Sequence, residues 1–479
     1  MNSEQKKHFS PRGFPQAVVS LCRWQKVALV FGVMSFLCVG FFYWRLELLW
    51  TNLFLTVFYF LSMLYRVFIM GVALKNPNEI TIPEEQLSVL PECFSVWPKY
   101  LILLPMYDEG TVLPDLIHSL EQLDYPADRL EIRLLIEEDD EKTRAAAALI
   151  DMPKQFVVTL IPVSEPRTKP KACNVGILGA EADFLVIYDA EDRPEADQLK
   201  KAVHAFAQVP EKVVCIQAKL GYYNAKQNLL TRCFAAEYAT WFGLCLPGLD
   251  YLRAPIPLGG TSNHFRFQLL KKIGAWDEYN VTEDCDLGLR LFIAGWQTRI
   301  LESTTWEQAC PKLGAWIRQR SRWVKGYIQT YLVHMRDLFG THRKLGVWNS
   351  FQFHLLIGGS FFTQLINPIY WSLTLAWLIW QPKSVEYFYP LPILLMGSAC
   401  LFVGNFIFLY TSCIACQRRN LSDLVKYCVV LMPFYWLLMS IGAWKGFLQL
   451  ITRPSHWEKT PHFKEIVTSP DVLFRKNNN

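Results

Sequence analysis

The stretch FLVIYDAED, residues 184–192, decides the fold of the middle of this chain. Its apolar residues Phe184–Tyr188 are typical of a short buried strand, which runs directly into acidic side chains. Short apolar runs of the same kind alternate with charged, helix-like stretches. The other predicted strands are Tyr100–Leu104, Glu131–Ile136, Phe156–Pro162 and Val213–Ala218. This alternation predicts an α/β domain with a largely parallel, Rossmann-like sheet, in which ligands bind beyond the carboxyl ends of the strands.

The α/β pattern covers residues 100–340, and long apolar runs lie on both sides of it. The chain is 52% hydrophobic, which is too high for a soluble protein with evenly spread charges. The runs are Val27–Trp44, Leu48–Leu74, Phe351–Trp380, Tyr389–Ala415 and Cys428–Ile451. Each approaches or exceeds the roughly 18–20 apolar residues that span a bilayer. We therefore predict two transmembrane helices over 27–74, transmembrane or interfacial helices over 347–452, and tails at 1–26 and 453–479.

Basic residues indicate the orientation of these helices. Lys6, Lys7, Arg12, Arg23 and Lys26 precede the first apolar run. Positive charge favours the cytoplasmic side, so we expect the N-terminus in the cytoplasm. Two crossings then return residues 100–340 to the cytoplasmic face of the inner (plasma) membrane, and three or four crossings follow. The lipid bilayer is thus the first predicted partner.

The charge of the chain gives no sign of a nucleic-acid partner. The net charge is only +5, and the basic residues cluster beside the apolar runs instead of forming one stripe. The 13 cysteines show no spacing typical of a disulfide framework. The composition therefore favours a multi-pass membrane protein with reduced thiols.

Acidic residues follow three of the predicted strands. The first strand runs into Pro105-x-Tyr107-x-Glu109, the second reaches the pair at 139–140, and the fourth ends in Asp189-x-Glu191. Two acids spaced one apart on a turn can share a divalent cation through hard oxygen ligands. A solvated turn produces the same triplet by chance, so position after a buried strand is what favours the metal site.

Two later stretches complete the set of candidate residues. The stretch at 282–284, Thr-Glu-Asp, opens a helical pattern and could equally be a capped helix start. In Gln319-Arg320-Ser321-Arg322-Trp323, two guanidinium groups can hold phosphates and an indole can stack on a sugar. The same pair near a membrane helix is also typical of an interfacial anchor.

In this order, the motifs Pro-x-Tyr-x-Glu, Asp-Asp, Asp-x-Glu, Thr-Glu-Asp and Gln-x-x-Arg-Trp resemble those of processive family 2 glycosyltransferases. That group has the GT-A fold and contains cellulose, chitin, hyaluronan and poly-N-acetylglucosamine synthases. The resemblance covers residues 105–323, and the apolar runs match the family architecture. It implies a membrane-integrated, inverting hexosyltransferase that moves sugar from a nucleotide sugar, such as a UDP-sugar, to a growing glycan and helps to export it.

The resemblance also implies roles for individual residues. The donor site would consist of Pro105, Tyr107, Glu109, Asp139, Asp140, Lys171 and Asp189. Mg²⁺ or Mn²⁺ would be held by Asp189 and Glu191. Asp284 would be the general base with Glu283 beside it. The acceptor and diphosphate would be held by Gly260, Thr261, Gln319, Arg320, Arg322 and Trp323.

Two departures from the family pattern leave parts of this assignment open. Cys173 stands where the family's Lys-Ala-Gly-Asn element has glycine, which weakens the lysine contact. Glu191 stands where the metal motif usually has aspartate, so Asp192 is an alternative ligand.

Other functions also remain open. One is a single-sugar transferase acting on a polyprenyl phosphate, although such relatives generally lack Gln-x-x-Arg-Trp. Another is a transport or scaffold protein that kept the fold. The sugar, its linkage and any export or regulatory partner are not encoded in these motifs.

Overall fold

A computed structural model describes residues 13–381 and 383–453. The beginning of the predicted N-terminal tail, before residue 13, and nearly all of the predicted C-terminal tail, from residue 454, lie outside the described residues. The described cysteines are free thiols.

The described part of the chain contains one mixed sheet of eight strands in the order β3-β2-β1-β4-β7-β6-β8-β5. The strands are β1 Tyr100–Met106, β2 Leu130–Glu137, β3 Phe156–Ile161, β4 Phe184–Ile187, β5 Arg193–Pro194, β6 Val213–Tyr222, β7 Asn263–Arg266 and β8 Gln297–Glu307. All five predicted strands are confirmed, whereas β5, β7 and β8 were not predicted. Strands β3, β2, β1 and β4 are parallel, and β7 pairs antiparallel with both β4 and β6.

Helices cover the sheet and form the flanking apolar segments. They are α1 Arg23–Lys75, α2 Leu113–Glu121, α3 Glu141–Ala148, α4 Lys169–Gly176, α5 Gln198–Gln208, α6 Leu229–Thr240, α7 Leu246–Tyr251, α8 Phe267–Ile273, α9 Glu283–Ile293, α10 Leu313–His334, α11 Leu338–Phe353, α12 Gly359–Trp380, α13 Lys383–Glu386, α14 Leu391–Ser398, α15 Asn405–Arg418 and α16 Val425–Thr452. Three π-helical segments, Trp241–Cys245, His354–Gly358 and Ala399–Gly404, lie between successive α-helices. The apolar residues of the central strands are fully buried between the helical layers.

The sheet brings the predicted acidic motifs to one edge. Strand β1 pairs in parallel with β4 so that Leu103 lies opposite Ile187, and it pairs with β2 so that Met106 lies opposite Ile136. The residues after these strands therefore emerge side by side at the carboxyl edge.

Helix α1 changes direction at Tyr43, whose φ of −132° and ψ of 35° are not helical. Gln25 donates a hydrogen bond to a carbonyl near the end of α10, and the hydroxyl of Tyr65 donates to an amide side chain of α11. Helices α10 and α11 meet where Tyr331 stacks on Phe353 at 5.3 Å. A straight helix would separate positions 25 and 65 by about 60 Å. The residues before and after Tyr43 therefore run in opposite directions, so that α1 is a helical hairpin with its break at Tyr43.

The C-terminal helices run along this hairpin. The segment between α12 and α14 reaches the turn of the α1 hairpin. There the Phe388 ring lies 6.2 Å from the Trp44 ring. Helix α15 returns to the sheet, and beyond its end Arg419 donates to the carbonyl of Leu220 at 2.8 Å. Helix α16 instead lies beside α10, beginning with the contact of Tyr435 and Trp316 at 5.0 Å.

Two helices in the described ranges are long and apolar enough to cross a membrane, namely Arg23–Lys75 and the continuous segment Leu391–Arg418. The run at α12, where the sequence predicted a further span, is helical and long enough but less apolar than these two helices. The run at α16 is also helical, over Val425–Thr452.

The N-terminal strap, residues 13–22, lies against the helices that follow the sheet. The backbone N–H of Ala17 donates to Asp277 at 2.6 Å, and the amide of Gln329 donates to the Ala17 carbonyl at 3.3 Å. Arg336 donates to the carbonyl of Gln16 at 2.7 Å. The strap thus joins the start of the chain to α10.

Candidate active site

A cavity of about 730 Å³ lies at the carboxyl edge of the sheet and continues between the apolar helices. Most of the predicted site residues line it together, which no stretch of sequence could achieve alone. Those present are Pro105, Tyr107, Glu109, Asp189, Glu191, Gly260, Thr261, Glu283, Asp284, Gln319, Arg320, Arg322 and Trp323. The volume is typical of a small-molecule site.

Lys169, at the first turn of α4, neutralises the acid that follows β4. Its ammonium donates a very short hydrogen bond to Asp189 and another to the carbonyl of Gly260 at 2.7 Å. Although burial opposes it, the charges of Asp189 and Glu283 raise the pKa of Lys169 above its usual range. Lys169 is therefore a fixed positive charge beside the carboxylates of Asp189 and Glu283.

Glu191, and not Asp192, faces the cavity. Asp192 is 1% exposed, and one of its oxygens accepts from the Asp189 N–H at 2.7 Å and from the hydroxyl of Thr261. Burial, with the charges of Asp189 and Glu191, raises the pKa of Asp192 well above its usual value. Asp192 thus holds the turn together while its neighbours point into the site.

The Thr-Glu-Asp stretch stands at the start of α9, where Thr282 occupies the N-cap position without making a capping hydrogen bond. A methyl group added to Gly326 of α10 would lie 2.3 Å from the Thr282 side chain, so only glycine allows this close approach. The side chain of Gln329 accepts from the backbone N–H of Val281 at 3.1 Å. Helix α10 therefore fixes the position of the acids that follow.

Burial raises the pKa of Asp284 to about 6, against the opposing effect of the hydrogen bond that its carboxylate accepts from the Cys285 N–H at 2.7 Å. Burial and the charge of Asp284 likewise raise the pKa of Glu283. A carboxylate with a pKa near neutrality is a better proton acceptor than an ordinary aspartate and remains ionised at pH 7. Asp284 has the properties of a general base.

If Asp284 is the general base, as the sequence predicts, we expect kcat/KM to fall as the pH drops below its pKa of about 6, because protonation would remove the proton acceptor. Rates measured from neutral pH downwards, with stability checked at each pH, test this. A flat profile down to about pH 4, the ordinary pKa of aspartate, would contradict the assignment.

Helix α10 presents Gln319, Arg322 and Trp323 along one face of the cavity. The charge of Arg322 interacts with Glu283, Asp189, Glu191 and Asp284, and its pKa is lowered by burial. The Trp323 ring lies 6.3 Å from that of Tyr238 and nearly parallel to it. Arg322 and the Trp323 indole thus both line the part of the cavity that also contains Glu283 and Asp284.

Arg320, for which the sequence predicted a phosphate-binding role, lines the cavity but is paired with side chains of neighbouring helices. Its guanidinium donates two hydrogen bonds to Glu237 of α6 at 2.7 and 2.5 Å and one to Tyr435 of α16 at 2.9 Å. It also lies 4.6 Å from the centre of the Trp323 ring. Arg320 instead joins three helices behind the indole.

Three predicted donor residues do not line the cavity. Lys171 donates to the carbonyls of Pro162 and Ser164 at 2.7 and 3.0 Å. Asp140 caps α3 and accepts from the N–H of Asp108 at 2.6 Å. Asp139 accepts from Arg167 at 2.7 Å.

Several lining residues were not predicted. They are Glu137, Arg167, Lys169 and Glu307 near the sheet, and Arg66 on α1. Burial, with the charges of Asp192 and Glu191, raises the pKa of Glu307 well above its usual value. Glu137 directly precedes the acids after β2 and Lys169 lies two residues before Lys171, so both were close to recognised motifs.

Known proteins resemble this chain in sequence. YdaM of Bacillus subtilis, a probable glycosyltransferase, is 27% identical over 320 residues, covering 65% of this chain and 72% of that protein. A beta-monoglucosyldiacylglycerol synthase of Synechocystis is 26% identical over 319 residues, 64% of this chain and 62% of that protein. Probable glucomannan 4-beta-mannosyltransferase 2 of Oryza sativa is 25% identical over 284 residues, 57% of this chain and 48% of that protein. The chain spans less than two thirds of the last two relatives.

A solved structure shows the same fold. Mannosyltransferase PcManGT from Pyrobaculum calidifontis, in complex with GDP-Man and Mn²⁺, superimposes with a TM-score of 0.50 at 16% identity, covering 84% of this chain and 99% of that one. The sequence profile described as Glycosyl transferase family group 2 matches residues 184–452, which is more than half of the 479 residues. This chain therefore belongs to glycosyl transferase family group 2 and is a nucleotide-sugar glycosyltransferase with a mixed α/β GT-A fold.

Proposed function

We propose that the chain is a membrane-embedded, inverting and processive synthase that extends a polysaccharide and passes it through its own helices. The observation that carries this proposal is the continuity of the cavity. It joins the acids beyond β1 and β4 to polar side chains on α12 and α15, among them Gln364, Asn367, Asn405 and Ser412. A hydrated sugar chain needs such a polar, protein-lined route through hydrocarbon.

The chemistry follows from the residues around the cavity. Asp284 takes the proton of an acceptor hydroxyl while its oxygen forms a bond to the anomeric carbon of the donor. The bond from that carbon to the nucleoside diphosphate breaks on the opposite side, so the anomeric configuration inverts. Arg322 and Lys169 stabilise the charge on the departing diphosphate. Pro105, Tyr107 and Glu109 lie where the nucleoside would be held.

A divalent cation fits the site by the chemistry of its donor set. Asp189 and Glu191 both line the cavity and offer hard carboxylate oxygens, which suit Mg²⁺ or Mn²⁺. Among the described residues no three Asp, Glu, His or Cys side chains converge on one ion position. Such ions are commonly held by one or two carboxylates together with substrate phosphates. The ion would neutralise the donor diphosphate.

We also propose that the sheet domain lies in the cytoplasm of a cell with its helices in the inner membrane. The strap, the start of α1 and the end of α1 all lie on the side of the sheet. The α1 hairpin and the passage from α12 to α15 would then cross the bilayer and return. Helix α16, which lies beside α10, would follow the membrane surface.

A second candidate is a transferase that adds one sugar to a lipid, including a polyprenyl phosphate. The similarity to beta-monoglucosyldiacylglycerol synthases supports it, because those relatives are named for a lipid product. Product size separates the two candidates.

We expect native protein in vesicles to make long product, and Trp323→Ala to shorten it. The indole would form the bottom of the acceptor site. Its loss would remove a stacking contact with the sugar worth on the order of 1 kcal/mol or more, together with the surface that orients the acceptor. Elongation should fall more than donor hydrolysis when radiolabelled product is sized.

The control is Trp348→Ala, since Trp348 is 54% exposed on α11 and does not line the cavity. It should leave product length unchanged. A native product of one sugar on a lipid, released by mild acid, would remove the polysaccharide proposal and favour the lipid acceptor.

A further inference from the structure

Arg66 is the one charged side chain that α1, α12, α15 and α16 contribute to the cavity, within the described residues. It lies in an apolar stretch of α1 and is half-buried. The groups that interact with its charge are the thiol of Cys245 and the hydroxyls of Tyr59 and Tyr327. None of these neighbours is a carboxylate. Each of them also lines the cavity.

An ionised side chain among membrane helices is costly, and such residues usually face a cavity and mark the path of a substrate. A buried arginine can instead be neutralised by an ion pair within the protein, as Arg320 is by Glu237. Arg66 has no comparable ion pair within the part of the chain that the structure describes. An anion that enters the cavity would supply the missing charge.

The position of Arg66 assigns that anion to the acceptor and not to the donor. Tyr327 interacts electrostatically with Arg66 and with Asp284. It lies one helical turn after Trp323 on α10, so both side chains lie on the same face. Tyr327 therefore connects Arg66 to the part of the cavity where Asp284 and Trp323 lie, which the proposed function assigns to the acceptor.

The lining near Arg66 favours a sugar chain over an acyl chain. Gln364, Asn367, Trp371 and Trp436 line this half of the cavity. Acyl chains would leave amide groups unpaired, whereas sugar hydroxyls pair with amides and sugar rings stack on indoles. A guanidinium binds a carboxylate through two parallel hydrogen bonds.

We infer that Arg66 binds a carboxylate on the growing chain, so that the product is an acidic glycan. This inference rests on the proposed synthase function. It assigns a substrate class to the cavity, namely sugars that carry a carboxylate close to the end being extended.

The test uses the full chain in nanodiscs, supplied with UDP-glucose, UDP-N-acetylglucosamine or GDP-mannose, each with and without UDP-glucuronic acid. We expect polymer to form with the acidic donor present. Arg66→Gln should lower elongation about tenfold or more while donor hydrolysis continues, as for the loss of a charged hydrogen bond. Arg66→Lys keeps the positive charge, so its elongation rate should fall less than that of Arg66→Gln.

The matched control is Arg45→Gln on the same helix. Arg45 is exposed, lies 5.2 Å from the Trp44 ring and does not line the cavity, so elongation should stay native. Nanodiscs of phosphatidylglycerol and of phosphatidylcholine separate a sugar carboxylate from a lipid phosphate. An Arg66→Gln effect seen only with phosphatidylglycerol would overturn the glycan assignment.

The outcomes of this experiment distinguish a failure of the acidic-glycan inference from a failure of the proposed synthase function. Neutral polymer made equally by native and Arg66→Gln protein would overturn the acidic glycan while leaving the synthase intact. A single sugar on a lipid would instead remove the synthase. Should Arg66→Gln not fold, the dependence of native protein on the acidic donor and the behaviour of Arg66→Lys decide the matter.

Discussion

Asp284→Asn is expected to lower sugar transfer by about 10²–10⁴-fold while nucleotide-sugar binding stays near native. The amide keeps the size of the carboxylate but cannot take the acceptor proton at neutral pH. The donor would lie against β1 and β4 in the proposed arrangement, so its affinity should survive. Rates of transfer and calorimetric titration of the donor measure the two effects separately.

Asp124→Asn is the matched control, because Asp124 is an exposed acid paired with Lys200 on the surface. It should leave both measurements unchanged. Near-native turnover by Asp284→Asn, in protein with an unchanged melting temperature, would end the assignment of this base. The decrease in rate at acidic pH should also be absent from any activity that the Asp284→Asn variant retains.

Asp189→Ala should abolish the response to Mg²⁺ or Mn²⁺ and weaken donor binding together. Without this carboxylate, and without the ion that it would help to hold, the diphosphate would lie among Glu191, Glu307 and Glu283 with less neutralisation of its charge. Metal assistance of this kind contributes several kcal/mol, which corresponds to a loss of about 10³-fold or more in rate.

Calorimetry of UDP and GDP with and without Mn²⁺ gives a readout that does not depend on turnover. Asp128→Ala is the control, since this acid is exposed and distant from the cavity. Full native activity in excess chelator would contradict the metal assignment. Retained Mn²⁺-dependent nucleotide binding in Asp189→Ala would move the ion to other ligands.

The parallel half of the sheet could be predicted because its strands are continuous apolar runs buried on both faces. Strand β8 was missed because Gln297–Glu307 interrupts its apolar residues with polar ones, and both strand ends are only partly buried. Strand β7 has only four residues, including a buried histidine and asparagine, and carries no alternating pattern. Both depend on pairing with strands that are distant in sequence.

Helical geometry explains why neighbouring motif residues have different surroundings. Lys169 and Lys171 are two positions apart at the start of α4, and so are Arg320 and Arg322 on α10. Residues two apart on a helix point in nearly opposite directions. The two members of each pair therefore reach different partners: Lys169 and Arg322 interact with the acids of the cavity, whereas Lys171 bonds to backbone carbonyls and Arg320 to Glu237.

Arg66 and Glu307 were both missed in the prediction of the site from the sequence, for different reasons. Arg66 is the only charge in Leu48–Leu74, a signal that is visible in the sequence and typical of a functional residue. Glu307 has no such signal, because it is the last residue of the unpredicted strand β8 and reaches the site only through the pairing of that strand in the sheet. Three-dimensional pairing was needed to find it.

The N-terminal strap has a consequence for the order in which the protein is made. Gln16 and Ala17 bond to partners 320 and 312 residues later in the chain. At about 5–20 residues per second, synthesis of that intervening chain takes roughly 15 to 60 s. During this interval the first hairpin exists without its final neighbours. Any messenger that stops before the codon for Arg336 leaves the strap without its last partner, so the beginning of the protein acquires its native contacts only after most of the chain has been synthesised.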